Sequence, residues 1–352
     1  INIKHAYHFI IQPNHAFRRE NLYLARDTKS FINISFFVKR MLPLLSTLGL
    51  IGGLILLVYT SDKAVIHSVL FAKKFKIPPI VIGLILASIG TDLPEITNSI
   101  FSSAFGHGDI NIGDSLGSAL TQITLILGLL PIILGSFKIK RRDILLIGAC
   151  ELLALSTALF VMSRGYFTRF SAFILLLVWF VLMLICVRTI KIKNEKRKMG
   201  LDNNINAKKH LFFSLLAFVG VAIASYVTVK STIILATFLK IPEYLLSFFA
   251  LSIGTSLPEL AVDLAAVRKK QYSFAIGDLI GSSIVDATFS IGIGQLLFPT
   301  AFSKQLILTS GFYTLIASAI ILALLFTRKR LDKLVGIIGI VLYIIAYFWV
   351  LG

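Results

Sequence analysis

The chain has 352 residues, 57% of them hydrophobic, with a mean hydropathy of +0.88. Those values exclude an ordinary soluble domain and point to an all-α polytopic membrane protein. The formal charge of +18 suggests nucleic-acid binding, but the basic residues fall mostly between apolar runs, so no nucleic-acid partner is expected.

Residues 1–40 are basic, aromatic and without periodicity, and lack the continuous apolar core of a cleavable signal. The first methionine, Met41, directly precedes the first long apolar run, so we expect either a native start near Met41 or a peripheral leader. About 20 apolar residues cross a bilayer. On that rule ten spans are expected, near 44–70, 79–105, 111–136, 144–163, 168–188, 211–235, 243–267, 273–298, 305–327 and 334–351. Cys150 and Cys186 lie in apolar runs and read as small core residues.

Two stretches repeat. Lys76 to Gly128 and Lys240 to Gly292 align without a gap at an offset of 164 residues (76 to 240). The shared residues include Lys-Ile-Pro, Ser-Ile-Gly-Thr, Leu-Pro-Glu, Ile-Gly-Asp and Gly-Ser. Lipid-facing helices have no reason to share Gly, Pro, Thr, Asp and Glu, so the matches mark a duplicated functional unit. Five spans per half is an odd number, so the second copy enters the membrane from the opposite side, an inverted repeat whose second, third, seventh and eighth spans are interrupted. The expected organisation is a leader at 1–40, one five-helix repeat at 41–190, a polar linker at 191–210 and the second repeat at 211–352.

Charge placement agrees. The loops around Lys73–Lys76, Lys138–Arg142, 188–210, Arg268–Lys270 and Arg328–Lys333 are rich in Lys and Arg. The alternate loops hold only Arg164, Arg169, Lys230, Lys240 and Lys304. The positive-inside rule then puts the 188–210 loop in the cytoplasm.

Each copy carries acids inside an apolar run, Glu95 in the first and Glu259 in the second. A carboxylate at membrane depth costs a few kcal/mol, about 3 on insertion scales, and marks a functional site. Pro94 and Pro258 leave the carbonyls of Gly90 and Gly254 without helical donors, which survive only where they line a cavity. Thr91 and Thr255 stand one turn before the acids; they either back-bond within the helix or line that cavity, and the proline break favours the cavity. Ser118 and Gln122 sit one turn apart after Gly117, as do Ser282 and Asp286 after Gly281; helix packing explains the glycines but not a lone acid at 286. Asp92, where the second copy has Ser256, adds a fourth carboxylate. Four acids around one hollow cannot all ionise without cations or protons. Oxygen-only ligands suit Na⁺ and Ca²⁺.

Other acids receive plainer readings. Asp114 and Asp278, near the start of their spans, read as helix caps or partners of the helix dipole. Asp263 is placed to pair with the Arg268–Lys270 cluster. Glu151 reads equally as a buried hydrogen-bonded group or an ion ligand, and His107 as an exposed turn residue.

Gly-Thr-Ser-Leu-Pro-Glu at 254–259, Gly-Thr-Asp-Leu-Pro-Glu at 90–95 and Gly-Ser at 117–118 and 281–282 resemble the signature of the sodium/calcium exchanger family. The resemblance implies ten helices, the first and sixth sliding to alternate access. It implies Glu95 and Glu259 as central cation ligands, joined by Thr91, Ser118, Thr255, Ser256, Ser282, Asp286 and the carbonyls of Ser88 and Ser252. Gln122 stands where the family usually has asparagine and Asp92 where it has serine, which leaves open Na⁺ or H⁺ as driving ion, and the selectivity. The expected protein is no enzyme and uses no cofactor. Its partners are Ca²⁺ and Na⁺ (or H⁺) and membrane lipid, with no obligatory protein. An intramembrane aspartyl protease, suggested by Gly106-His107-Gly108-Asp109, lacks a second acid in the matching stretch 270–273. A channel does not need inverted halves.

Overall fold

The computed structural model describes residues 27–74, 77–194, 206–238 and 246–351. Residues 1–26 of the expected leader, 195–205 of the linker and the second Lys-Ile-Pro lie outside them. The chain falls into two units, Ile1–Leu45 and Ser46–Gly352. The packing that positions the site belongs to the second.

The helices are α1 (Asp27–Lys74), α2 (Pro79–Thr91), α3 (Leu93–Ala104), α4 (Gly108–Leu134), α5 (Arg141–Met162) and α6 (Arg169–Asn194) in the first half. The second half holds α7 (Ala207–Phe238), α8 (Ser247–Thr255), α9 (Leu257–Arg268), α10 (Tyr272–Leu297), α11 (Lys304–Arg328) and α12 (Lys333–Leu351). Seven helices are unbroken and apolar enough to cross a membrane; counting the bent pairs α2–α3 and α8–α9 as spans gives nine among the described residues. The remaining expected span, 44–70, lies within α1, whose described apolar stretch is Leu44–Gly53.

The α2–α3 pair bends by 44° and α8–α9 by 42°. At each hinge a single residue leaves the helix, Asp92 (φ −77°, ψ 4°) and Ser256 (φ −84°, ψ 6°), with proline two positions into the next helix. Proline is tolerated in a first turn because those N–H groups lack helical partners anyway. The third and eighth spans differ from the expected break. α4 and α10 stay continuous and instead carry π-helical turns at Thr121–Ile126 and Val285–Ser290, matched by Gly83–Ala87 in α2 and by Leu246–Leu251, which leads into α8. The middle of α4 and of α10 has no proline to expel a turn; a π turn widens the helix locally, a feature frequent at functional sites.

The halves pack as two-fold equivalents. Where Gly117 of α4 crosses α8, an added Cβ would stand 2.2 Å from the Phe248 carbonyl oxygen; the equivalent Gly281 of α10 would meet the Leu84 carbonyl of α2 at 2.8 Å. Gly128 abuts the Gly336 carbonyl of α12, and its equivalent Gly292 the Ala172 carbonyl of α6. β1 (Phe137–Lys138) pairs with β2 (Arg330–Leu331), and a lone bridge joins Tyr166 to Ala301 at the corresponding positions. The most apolar windows of α4 and α10 are 78% and 94% buried, against 28% for α6 and α12, so α4 and α10 lie at the centre and α6 and α12 at the outside.

α1 meets α7 through small and polar contacts. Gly49 lies against Ser231 and Gly220 against Thr60; Ser68 and Ser214 hydroxyls are 2.7 Å apart, and the Nδ1 atoms of His67 and His210 are 2.9 Å apart.

Asp332 caps α12. Its Oδ1 accepts from the Val335 N–H at 3.2 Å, and its Oδ2 from Arg328 at 2.6 Å and Arg330 at 2.8 Å. Burial works against its charge, but Arg328, the Val335 N–H and Arg330 together hold the carboxyl below its usual range. A folded-state value below the unfolded one stabilises at neutral pH and is lost as pH falls through the acidic range. Asp332→Ala is expected to cost about 1 kcal/mol. A thermal melt at pH 7 in detergent checks this, and an unchanged melting temperature would contradict it.

Candidate cation site

The two hinges bring their acids together at the centre. One carboxylate oxygen each from Asp92, Glu95 and Glu259 lies within 4.8 Å of the other two, and all three residues are fully buried. Glu95 and Glu259 sit in the first turns of α3 and α9 because the hinges start those helices two residues before them. Free N–H groups at a helix start favour anions there.

Hydroxyls from opposite halves interleave with the acids. Ser118 of α4 donates to Glu95 Oε1 at 3.4 Å and lies 3.2 Å from Thr255 Oγ1. In the two-fold equivalent place Thr91 lies 3.4 Å from Ser282. The back-bonding reading of the threonines is what the hydrogen bonds show: Thr91 bonds to the Ala87 carbonyl at 3.1 Å, and Thr255 to that of Leu251 at 3.1 Å. The hydroxyls of Ser88 and Ser252 turn away to the Leu84 and Phe248 carbonyls. Their own carbonyls each accept an N–H, from Asp92 at 2.9 Å and Ser256 at 3.0 Å, and a hydroxyl, from Thr91 and Thr255 at 3.3 Å each.

Gln122 Nε2 donates to Asp286 Oδ2 at 2.9 Å. These are equivalent positions of the two halves, so the pseudo-two-fold axis passes through this bond. The amide satisfies one oxygen of Asp286; Asp286 Oδ1 and Gln122 Oε1 have no hydrogen-bond partner. Both carboxylate oxygens of Asp92 and of Glu259, Glu95 Oε2 and the Ser256 hydroxyl are likewise buried without a donor. Among the described residues no Lys, Arg or His is buried to balance them. Buried charge without a donor or counter-charge costs several kcal/mol, roughly, for each ion.

Three acids sit otherwise than expected. Asp114 and Asp278 do not cap helices: α4 and α10 begin at Gly108 and Tyr272, more than a turn earlier, and both side chains are fully buried. Asp114 takes a hydrogen bond from Asn98 at 2.6 Å and one from Thr255 at 3.2 Å, standing behind Glu95. The duplicated Ile-Gly-Asp was the signal that capping could not explain. Asp263 does not pair with Arg268–Lys270; Lys269 bonds Asp62 at 2.6 Å, while Asp263 is buried facing Asp278. Glu151 accepts from Ser283 at 3.0 Å, the buried hydrogen-bonded reading. His107 is exposed in its turn.

A buried, oxygen-only cluster at the crossing of two bent, duplicated helix pairs defines a membrane cation transporter rather than an enzyme. The protein family described as sodium/calcium exchanger protein matches this chain twice, at residues 45–188 and 209–352. The chain belongs to that family and is a multi-pass membrane antiporter. It is 29% identical to the inner membrane protein YrbG of Escherichia coli strain K12, over 87% of this chain and 98% of that protein. It is 27% identical to the sodium/calcium exchanger MaX1 of Methanosarcina acetivorans, over 84% and 95%. Among solved structures, the sodium-calcium exchanger NCX_Mj soaked with 100 mM Na⁺ and 10 mM Sr²⁺ superposes with a TM-score of 0.71 at 27% identity, covering 87% of this chain and 98% of that one.

Proposed function

We propose that the protein exchanges Ca²⁺ for Na⁺ by alternating access around the central cluster. The observation that carries this is the meeting of Asp92, Glu95 and Glu259, from opposite halves, within 4.8 Å, with only Glu95 Oε1 taking a donor. Oxygens around one Ca²⁺ stand about 2.3–2.6 Å from it, hence at most about 5 Å from each other. The cluster therefore admits one ion between its carboxylates. Glu95, Glu259, Asp92 and Asp286 supply charge. Thr91, Thr255, Ser118, Ser282, Ser256, Gln122 Oε1 and the carbonyls of Ser88 and Ser252 supply neutral oxygens.

Competition for one anionic site yields exchange without ATP. Empty, the cluster carries uncompensated charge and resists reorientation; filled by Ca²⁺ or by several Na⁺ it is neutralised and switches. The halves at 41–190 and 211–352, joined by the 191–210 linker, supply the two gates. The small and hydroxyl contacts between α1 and α7 let the two helices approach closely and move over the core as one pair.

The reading is tested in proteoliposomes. Ca²⁺ uptake is expected to follow an outward Na⁺ gradient and to vanish when Na⁺ is replaced by choline. The extra acid at 92 and the amide at 122 favour one rival, proton-coupled exchange. Uptake that follows a pH gradient with no Na⁺ present would establish the rival and end the sodium reading.

A further inference from the structure

We infer that Asp263 and Asp278 form a second cation subsite, adjoining the central cluster and built into the second half only, that holds one monovalent cation bridging the two carboxylates. Asp263 follows Glu259 by one turn of α9, about 6 Å along the axis, toward the end that carries Arg268–Lys270. Asp278 reaches it from α10. Both are fully buried, and none of their four carboxylate oxygens has a donor. The two groups stand within hydrogen-bonding reach of each other, which two bare carboxylates cannot hold.

The first half shows what is missing. There Asp114, the equivalent of Asp278, is satisfied by the Asn98 amide and the Thr255 hydroxyl. The equivalent of Asn98 in the second half is Val262, which has nothing to donate. The equivalent of Thr255 is Thr91, whose hydroxyl is engaged with the carbonyls of Ala87 and Ser88. The equivalent of Asp263 is Ser99, which donates to the Ser290 carbonyl. One half answers its buried acid with donors; the other sets a second acid against it. A positive charge between the two is the remaining way to satisfy both.

The titratable groups facing the pair are the carboxyls of Glu259 on α9 and Asp92 at the α2–α3 hinge; the Lys269–Asp62 ion pair lies beyond the last turn of α9. Ca²⁺ prefers six to eight oxygens, far more than two carboxylates offer, so the occupant is Na⁺ or a proton. An ion leaving the central cluster toward the Arg268–Lys270 face would meet this bare pair, whereas the equivalent Asp114 of the first half is hydrogen-bonded by Asn98 and Thr255. The surroundings of the two equivalent acids are thereby unequal. The inference rests on the exchange reading only for what it says about ion movement.

The test uses the full chain in detergent, with ²²Na⁺ and ⁴⁵Ca²⁺ equilibrium binding on wild type, Asp263→Ser and Asp278→Asn. If the occupant is Na⁺, each variant binds one Na⁺ fewer while Ca²⁺ affinity stays within about threefold. If it is a proton, the Na⁺ count holds and potentiometric titration releases one proton fewer. Unchanged counts of both overturn the subsite. So does loss of Ca²⁺ binding in the variants, which would merge the pair into the central site. A wild type that binds no Ca²⁺ while the variants still lose one cation ends the exchange reading and leaves the subsite standing. Should the variants fail to fold, carbodiimide labelling of the wild type decides: modification at Asp263 or Asp278 that Na⁺ or raised pH suppresses supports the pair, and labelling indifferent to both refutes it.

Discussion

Glu95→Gln and, separately, Glu259→Gln are expected to lower Na⁺-driven ⁴⁵Ca²⁺ uptake in proteoliposomes by at least about a hundredfold. Removing one partner from a buried charge cluster costs about 3–5 kcal/mol, and about 1.4 kcal/mol is tenfold in affinity. Glutamine keeps the shape and the Ser118 contact at 3.4 Å, so the protein should still purify as a monodisperse species. The two halves contribute equally to the site, and the defects should be of similar size. Uptake within tenfold of wild type in both variants would mean that the acids meeting at the hinges do not hold the transported ion.

Gly277→Val is expected to have the largest effect on the fold. A Cβ at Gly277 would stand 2.3 Å from the Ile80 carbonyl oxygen of α2. At the same crossing a Cβ on Gly83 would stand 2.2 Å from the Phe274 carbonyl and 2.9 Å from the Asp278 amide nitrogen. Backbone faces backbone on both sides, so no rotamer change relieves the overlap. Overpacking of this kind costs about 3 kcal/mol or more, and it separates α2 from α10, hence the Asp92 hinge from the second half. Detergent-solubilised Gly277→Val should lose its monodisperse peak on size exclusion or melt well below wild type. A melting temperature within about 2 °C of wild type would show that this crossing does not hold the halves together.

The central acids were legible because a carboxylate in an apolar run has so few inexpensive explanations, and because the run occurs twice. The hinges were legible because proline removes a donor wherever it stands. Harder cases turned on where each helix starts. Asp114 and Asp278 look like caps if their helices begin beside them. Gly108 and Tyr272 begin those helices a turn and a half sooner, and the same acids become buried. Asp263 lies one turn from Glu259 and near three cations in the chain. Which it faces depends on rotation about the α9 axis, and packing against α10 turns it inward. The π turns of α4 and α10 carry no residue signature comparable to proline.

The sequence alone determined the membrane class, the duplicated halves, the positions of the two hinges and the acids that meet there. Each follows from a local cost, of burying charge or losing a backbone donor, that any fold must answer. Only the tertiary structure decided which acids acquire donors and which face each other bare. That depends on contacts between residues far apart in the chain, such as Thr255 with Asp114 or Gln122 with Asp286. It is also why two halves with nearly the same motif end with unequal surroundings for equivalent acids.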